Sequence, residues 1–159
     1  MTKDDFAADD WHLIVSAPSL VGLAVSAASP SGPLGVVKEM LAVGMSIMDL
    51  AAQRPDNELI QAVVDDIRHR ESEMPRPETG AGFDDAKAWA LNELGKISQL
   101  LPADEESVEA FEFRGWLVAI ADRVAEASKE GGFFGIGGEK VSEAEESAID
   151  EVAGALGQG

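Results

Sequence analysis

Apolar residues along this chain recur at steps of three and four, and almost nowhere at steps of two. Spacing of that kind lines one face of an α-helix, whereas a half-buried strand needs alternation. The longest such run is Leu34, Val37, Leu41, Met45, Met48 and Ala52, which reads as one stripe on a helix begun by Pro33. Ahead of it, Trp11, Ile14 and Val15 share a face of a short helix from Ala8 to Ser16. Pro18 suits the first turn of a second helix, where its missing N–H costs nothing, and Val21, Ala24, Val25 and Ala28 follow. Arg54-Pro55-Asp56-Asn57 ends the third helix and caps a fourth, striped by Ile60, Val63, Val64 and Ile67.

The later half repeats the habit. Phe83 to Leu101 turns Ala86, Ala90, Leu94, Ile97 and Leu101 inward. Asp104-Glu105-Glu106 opens the longest helix, because carboxylates favour the positive end of a helix dipole, and its stripe is Phe113, Leu117, Ile120, Val124 and Ala127. Ser142-Glu143-Ala144-Glu145 has the form of a capping box, and the last helix uses Ile149, Val152 and Leu156 before Gly157. The expectation is an all-α fold, a single compact bundle of about seven helices.

At 159 residues the chain is expected to be one domain, with about 70% of its unfolded surface buried. Residues 72–82, SEMPRPETGAG, are polar and rich in Pro and Gly, and read as a linker between halves at about 8–71 and 83–157. Twelve Lys and Arg stand against 30 Asp and Glu, a formal charge of −18, which repels phosphate backbones and anionic lipid. Neither nucleic acid nor a membrane is therefore an expected partner. Cysteine is absent, which excludes disulfides and thiolate chemistry. Residues 13–28, LIVSAPSLVGLAVSAA, are apolar but interrupted by Pro18 and Gly22, shorter than the ~20 residues that span a bilayer, and preceded by Asp4, Asp5, Asp9 and Asp10 rather than by a basic segment. They read as buried core, and a cytoplasmic protein is expected.

Two segments resemble each other: VSAASPSGPLGVVKE at 25–39 and VAEASKEGGFFGIGGEK at 124–140. Val25 falls on Val124, Ala28-Ser29 on Ala127-Ser128 and Gly32 on Gly131; after one inserted residue, Leu34-Gly35-Val36 falls on Phe134-Gly135-Ile136. Each segment lies between an apolar helix and another helix, as in a diverged duplication of a helix–Gly-rich loop–helix unit. Residues 117–157, from LVAIAD to AGALG, resemble the tellurite-resistance TerB-like domain. Ser142, Glu145, Ile149, Leu156 and Gly157 match that family's capped helix, while Ser29 and Ser128 replace the aspartate of its turn. The resemblance implies an all-helical fold with an internal pseudo-repeat, and an association with metal or stress responses in which acidic residues act as ligands.

Candidate sites are few. Asp9/His12 and Asp66/His69 have the Asp-x-x-His spacing of a carboxylate–imidazole pair, but at ~100° per residue both pairs point away from the apolar stripes and are expected on solvated faces. GGFFGIGGEK lacks the Gly-Lys-Ser/Thr ending of a phosphate loop and follows a helix rather than a strand. The acidic group Glu139, Glu143, Glu145, Glu146, Asp150 and Glu151 offers oxygen ligands for Ca²⁺ or Mg²⁺ without EF-hand spacing, so Glu39, Glu139 and Glu145 are the candidate metal ligands and no resident cofactor is expected. Trp89, Trp116, Met45 and Met48 read as core. In the Gly-rich loop, Phe134 and Ile136 are expected to be buried, with Phe133 exposed for docking. The function these features favour is non-enzymatic binding to another protein; the alternative is divalent-metal binding in a stress response.

Overall fold

A computed structural model describes residues 1–28, 43–69, 82–103, 106–129 and 143–158. After a 3₁₀ turn at Lys3–Asp5, these form α1 (Ala8–Ala28), α2 (Val43–Ala52), α3 (Glu58–His69), α4 (Phe83–Leu100), α5 (Val108–Lys129) and α6 (Glu143–Ala155), with no strand among them. The all-helical expectation holds. Among the described residues six α-helices stand where seven were expected, because Pro18 lies inside α1 instead of starting a new helix. Proline in a helix interior costs about 3 kcal/mol. Here Ile14, Val15 and Ala17 before it and Leu20, Val21 and Ala24 after it are all buried, so a break would expose one half of the core helix. The Ser16 hydroxyl donates to the Leu13 carbonyl at 2.6 Å, in the turn before the proline.

α1 is the axis of the fold. It packs along α4 and against α3, α5 and α6, and by length and composition alone it would be long and apolar enough to cross a membrane. Its apolar residues belong instead to a core cluster contributed by all six helices. Gly22 brings α2 close: a Cβ there would stand 2.5 Å from Cγ2 of Val43.

The stripe expected on α2 is displaced. Val43, Ile47, Leu50 and Ala51 face the core, while Met45 is 69% exposed and Met48 only half-buried. Residues 41–52 contain too few polar side chains to distinguish one helical face from its neighbour, so two stripes fit the spacing and packing on α1 selects between them. The five inward residues read from the sequence, four on α4 and Leu101 just after it, are all buried. α5 begins at Val108 rather than at the acidic run, since Ser107 caps it by accepting from the Ala110 N–H at 3.2 Å.

Polar side chains fix the helix ends. Asn57 caps α3 through Oδ1, which accepts from the Ile60 N–H at 3.0 Å, as the sequence indicated. Its Nδ2 also donates to the Glu109 carbonyl and Glu112 Oε2 of α5, at 3.1 and 2.9 Å. The buried Arg114 donates to the Ser98 and Leu101 carbonyls at the negative end of α4, at 3.1 and 3.4 Å. α6 closes in a Schellman turn: Gly157 takes φ +78°, Gln158 N–H reaches the Ala153 carbonyl and Gly157 N–H that of Gly154.

One burial pattern occurs twice. With Val25 placed on Val124, the buried residues Trp11, Ile14, Ala17, Val21 and Gly22 of α1 fall on Ala110, Phe113, Trp116, Ile120 and Ala121 of α5, all buried. Leu20 and Ala24 are the exceptions, falling on half-buried Ala119 and exposed Arg123. Likewise Ser46, Asp49 and Leu50 of α2 match Ala148, Glu151 and Val152 of α6 in depth, the first and last pairs buried and the middle pair exposed, while buried Ile47 falls on half-buried Ile149.

Candidate functional site

Because the core face of α2 runs through Val43, Ile47 and Leu50, its neighbouring face looks along the C-terminal turns of α5. Between them lies a cleft of about 260 Å³, lined by Met45, Ser46, Asp49 and Leu50 from α2 and by Arg123, Glu126 and Ala127 from α5. Leu50 and Ala127 supply apolar wall, and Met45 supplies an exposed, flexible thioether of the kind that adapts to varied partners. Asp49, Glu126 and Arg123 supply charge. Neither Asp49 nor Arg123 makes an ion pair with any described residue. Asp122 and Glu126 are one turn apart on α5. Partial burial, and secondarily the neighbouring Glu126 charge, raise the Asp122 carboxyl above the usual range for an aspartate. Cleft and carboxylates together suit a ligand that is apolar in part and positive in part.

Further large apolar side chains reach the surface at the start of α5, where Val108 is 72% and Phe111 52% exposed. They stand on the turn whose Phe111 carbonyl accepts from Gln158 Nε2 at 3.5 Å.

The residues singled out from the sequence are scattered. Glu145 is only 4% exposed in the first turn of α6, not on the solvated face where its acidic neighbours Glu143, Glu146 and Asp150 sit. Glu151 is held by Lys87 Nζ at 2.8 Å and by the Ser147 hydroxyl at 3.1 Å; the Lys87 hydrogen bond is the main reason its carboxyl falls below the usual range. No three His, Asp or Glu among the described residues are grouped so as to hold a metal ion. Glu39, Glu139, Phe133, Phe134 and Ile136 lie outside the described residues.

Asp9 and His12 are exposed, as expected. Asp66 is not on a solvated face: its Oδ2 accepts from Trp11 Nε1 at 2.7 Å and from Lys3 Nζ at 3.5 Å. The α3 stripe alone carries no sign of this contact, because Trp11 of α1 comes in from the side. His69, exposed, has Nδ1 2.7 Å from the Asp65 carbonyl, so the two members of the Asp66/His69 pair serve separate local contacts. Asp49, Arg123 and Glu126 are not among the candidates that the sequence offers. The one signal available is that Arg123 falls on Ala24 when Val124 is placed on Val25.

Comparison of the chain with family models, with curated proteins and with solved structures finds no match.

Proposed function

We propose that this protein is a non-enzymatic, all-helical protein-binding domain of TerB-like type, built by diverged duplication of a helix–loop–helix unit. The binding reading is carried by the α2–α5 cleft, where an exposed Met45 stands over apolar wall with carboxylates at its rim. An apolar floor with a charged border is the usual anatomy of a docking surface. The duplication is supported by the matched burial of α1 with α5 and of α2 with α6. The TerB-like assignment rests on Ser142, Glu145, Ile149, Leu156 and Gly157 and on that repeated unit.

Affinity capture with the intact chain, set beside Met45→Glu and Phe111→Glu baits, tests the reading. Proteins retained by the wild type and lost from one of the variants support it. Identical capture by all three baits refutes it.

A further inference from the structure

We propose that the α2–α5 cleft docks an amphipathic helix of a partner protein, its apolar side against Met45, Leu50 and Ala127 and its Lys or Arg residues against Asp49, Asp122 and Glu126. This rests on the protein-binding reading above and supplies the chemistry of the partner.

The argument comes from the fold's own precedent. On the α6 side, Glu151 and Val152 stand where α2 has Asp49 and Leu50; on α1, Ala24 stands where α5 has Arg123. There the parts are covered: α4 lies along α1 and reaches α6, Ala24 and Val152 are fully buried, and Lys87 of α4 neutralises Glu151 at 2.8 Å. On the α2–α5 side Leu50 is buried as Val152 is, but Arg123 is exposed where Ala24 is covered, and no such helix is present among the described residues. Met45 stays open, and Asp49 has no described cation. A helix that buries apolar area and delivers a basic side chain is thus what this pair of surfaces accepts once already.

Charge selects the occupant further. Among the lining residues Asp49 and Glu126 outnumber Arg123, and the like charges of Glu126 and its neighbour Asp122, one turn away on α5, are relieved when a cation arrives. A second copy of the chain is disfavoured, since each copy carries −18.

The test titrates the intact chain with a synthetic Leu/Lys amphipathic helical peptide, and with its Leu/Glu counterpart, at two salt concentrations. Calorimetry gives affinity, and the NMR methyl signals of Met45 and Leu50 give location. The Leu/Lys peptide is expected to bind, to shift both methyl signals and to weaken with salt, while the Leu/Glu peptide does not bind. Asp49→Lys and Glu126→Lys each weaken binding about tenfold or more, and Arg123→Glu strengthens it. Asp9→Lys, an equal charge change at the exposed start of α1, has a much smaller effect. Equal weakening by Asp9→Lys, no methyl response, or equal binding of the two peptides overturns the proposal. Binding reported at Val108 and Phe111 instead overturns the cleft assignment while leaving the protein-binding reading standing.

Discussion

Asn57 offers the sharpest perturbation, because one buried amide both starts α3 and ties it to α5. Replacing it by Ala removes the cap on the Ile60 N–H, typically about 1 kcal/mol, and deprives the Glu109 carbonyl and Glu112 carboxylate of a donor, about 1–3 kcal/mol more. The expected loss is about 2–4 kcal/mol, or roughly 5–15 °C in Tm for a chain of this size. Asn57→Asp separates the two roles. Its carboxylate still caps Ile60 but cannot donate, and it brings a second negative charge against Glu112. That neighbour raises the new carboxyl's folded pKa above its unfolded value, so the penalty is full at pH 7 and shrinks as pH falls through the folded pKa. Urea unfolding of wild type, Asn57→Ala and Asn57→Asp at pH 7 and about 5 measures this. The Asp variant should lie well below wild type at pH 7 and recover toward it at the lower pH, while the deficit of the Ala variant changes little. An Asp variant as stable as wild type at pH 7 refutes the tether.

Other expectations follow from single features. Met45→Ser should change stability by less than about 0.5 kcal/mol, whereas Ile47→Ala should cost about 2–5, measured by the same unfolding curves; similar losses at both would restore the stripe first read for α2. Gly157→Ala places a Cβ on a residue at φ +78° and should cost about 1–2 kcal/mol, checked by thermal melting. In an NMR titration, Glu126→Gln should lower the Asp122 pKa only part of the way, since burial is the larger cause of its elevation; full return to the ordinary value would reverse that order. Lys87→Met should raise the Glu151 pKa, and the stability that Glu151 contributes above its unfolded pKa, lost as pH falls through the folded one, should diminish in the acid limb.

The fold class was legible because one physical rule, burial of one helical face, acts locally and repeats every few residues. Ala86, Ala90, Leu94, Ile97 and Leu101 are all buried, and the polar residues beside Ala86 and Ile97 (Asp85, Lys87, Lys96 and Ser98) fix the phase of α4. Asn57 was legible as a cap for the same reason, since capping is a matter of three residues. What escaped depends on contacts between distant segments. Pro18 carries a local cost that favours a helix start, yet the packing on both sides of it outweighs that cost. Asp66 looks away from its own stripe, and only the arrival of Trp11 gives it a partner. The facing of Met45 is set by how closely Val43 meets Gly22, and nothing near residue 45 encodes it.

The cleft shows the same limit from the other direction. Each residue that makes it is unremarkable where it stands: an Asp and a Met on a surface helix, and an Arg between two acids. Its meaning comes from comparing two places in the chain. Leu20 and Ala24 are buried on α1, while Ala119 and Arg123, at the matching positions of α5, are half-buried and exposed. Two units of common pattern should bury equivalent positions equally unless something covers one and not the other, and α4 is a helix that runs along α1. Arg123 therefore marks where the two halves differ in environment. A long, charged side chain is tolerated there only because no described helix lies over that face. If α4 is what keeps position 24 small, then Ala24→Arg should be strongly destabilising, because it forces an unpaired cation beneath a packed helix. Arg123→Ala at the matching position should leave the unfolding midpoint nearly unchanged. Comparable losses for the two substitutions would show that the difference between the halves is not one of coverage, and would remove the reason for regarding the α2–α5 side as open.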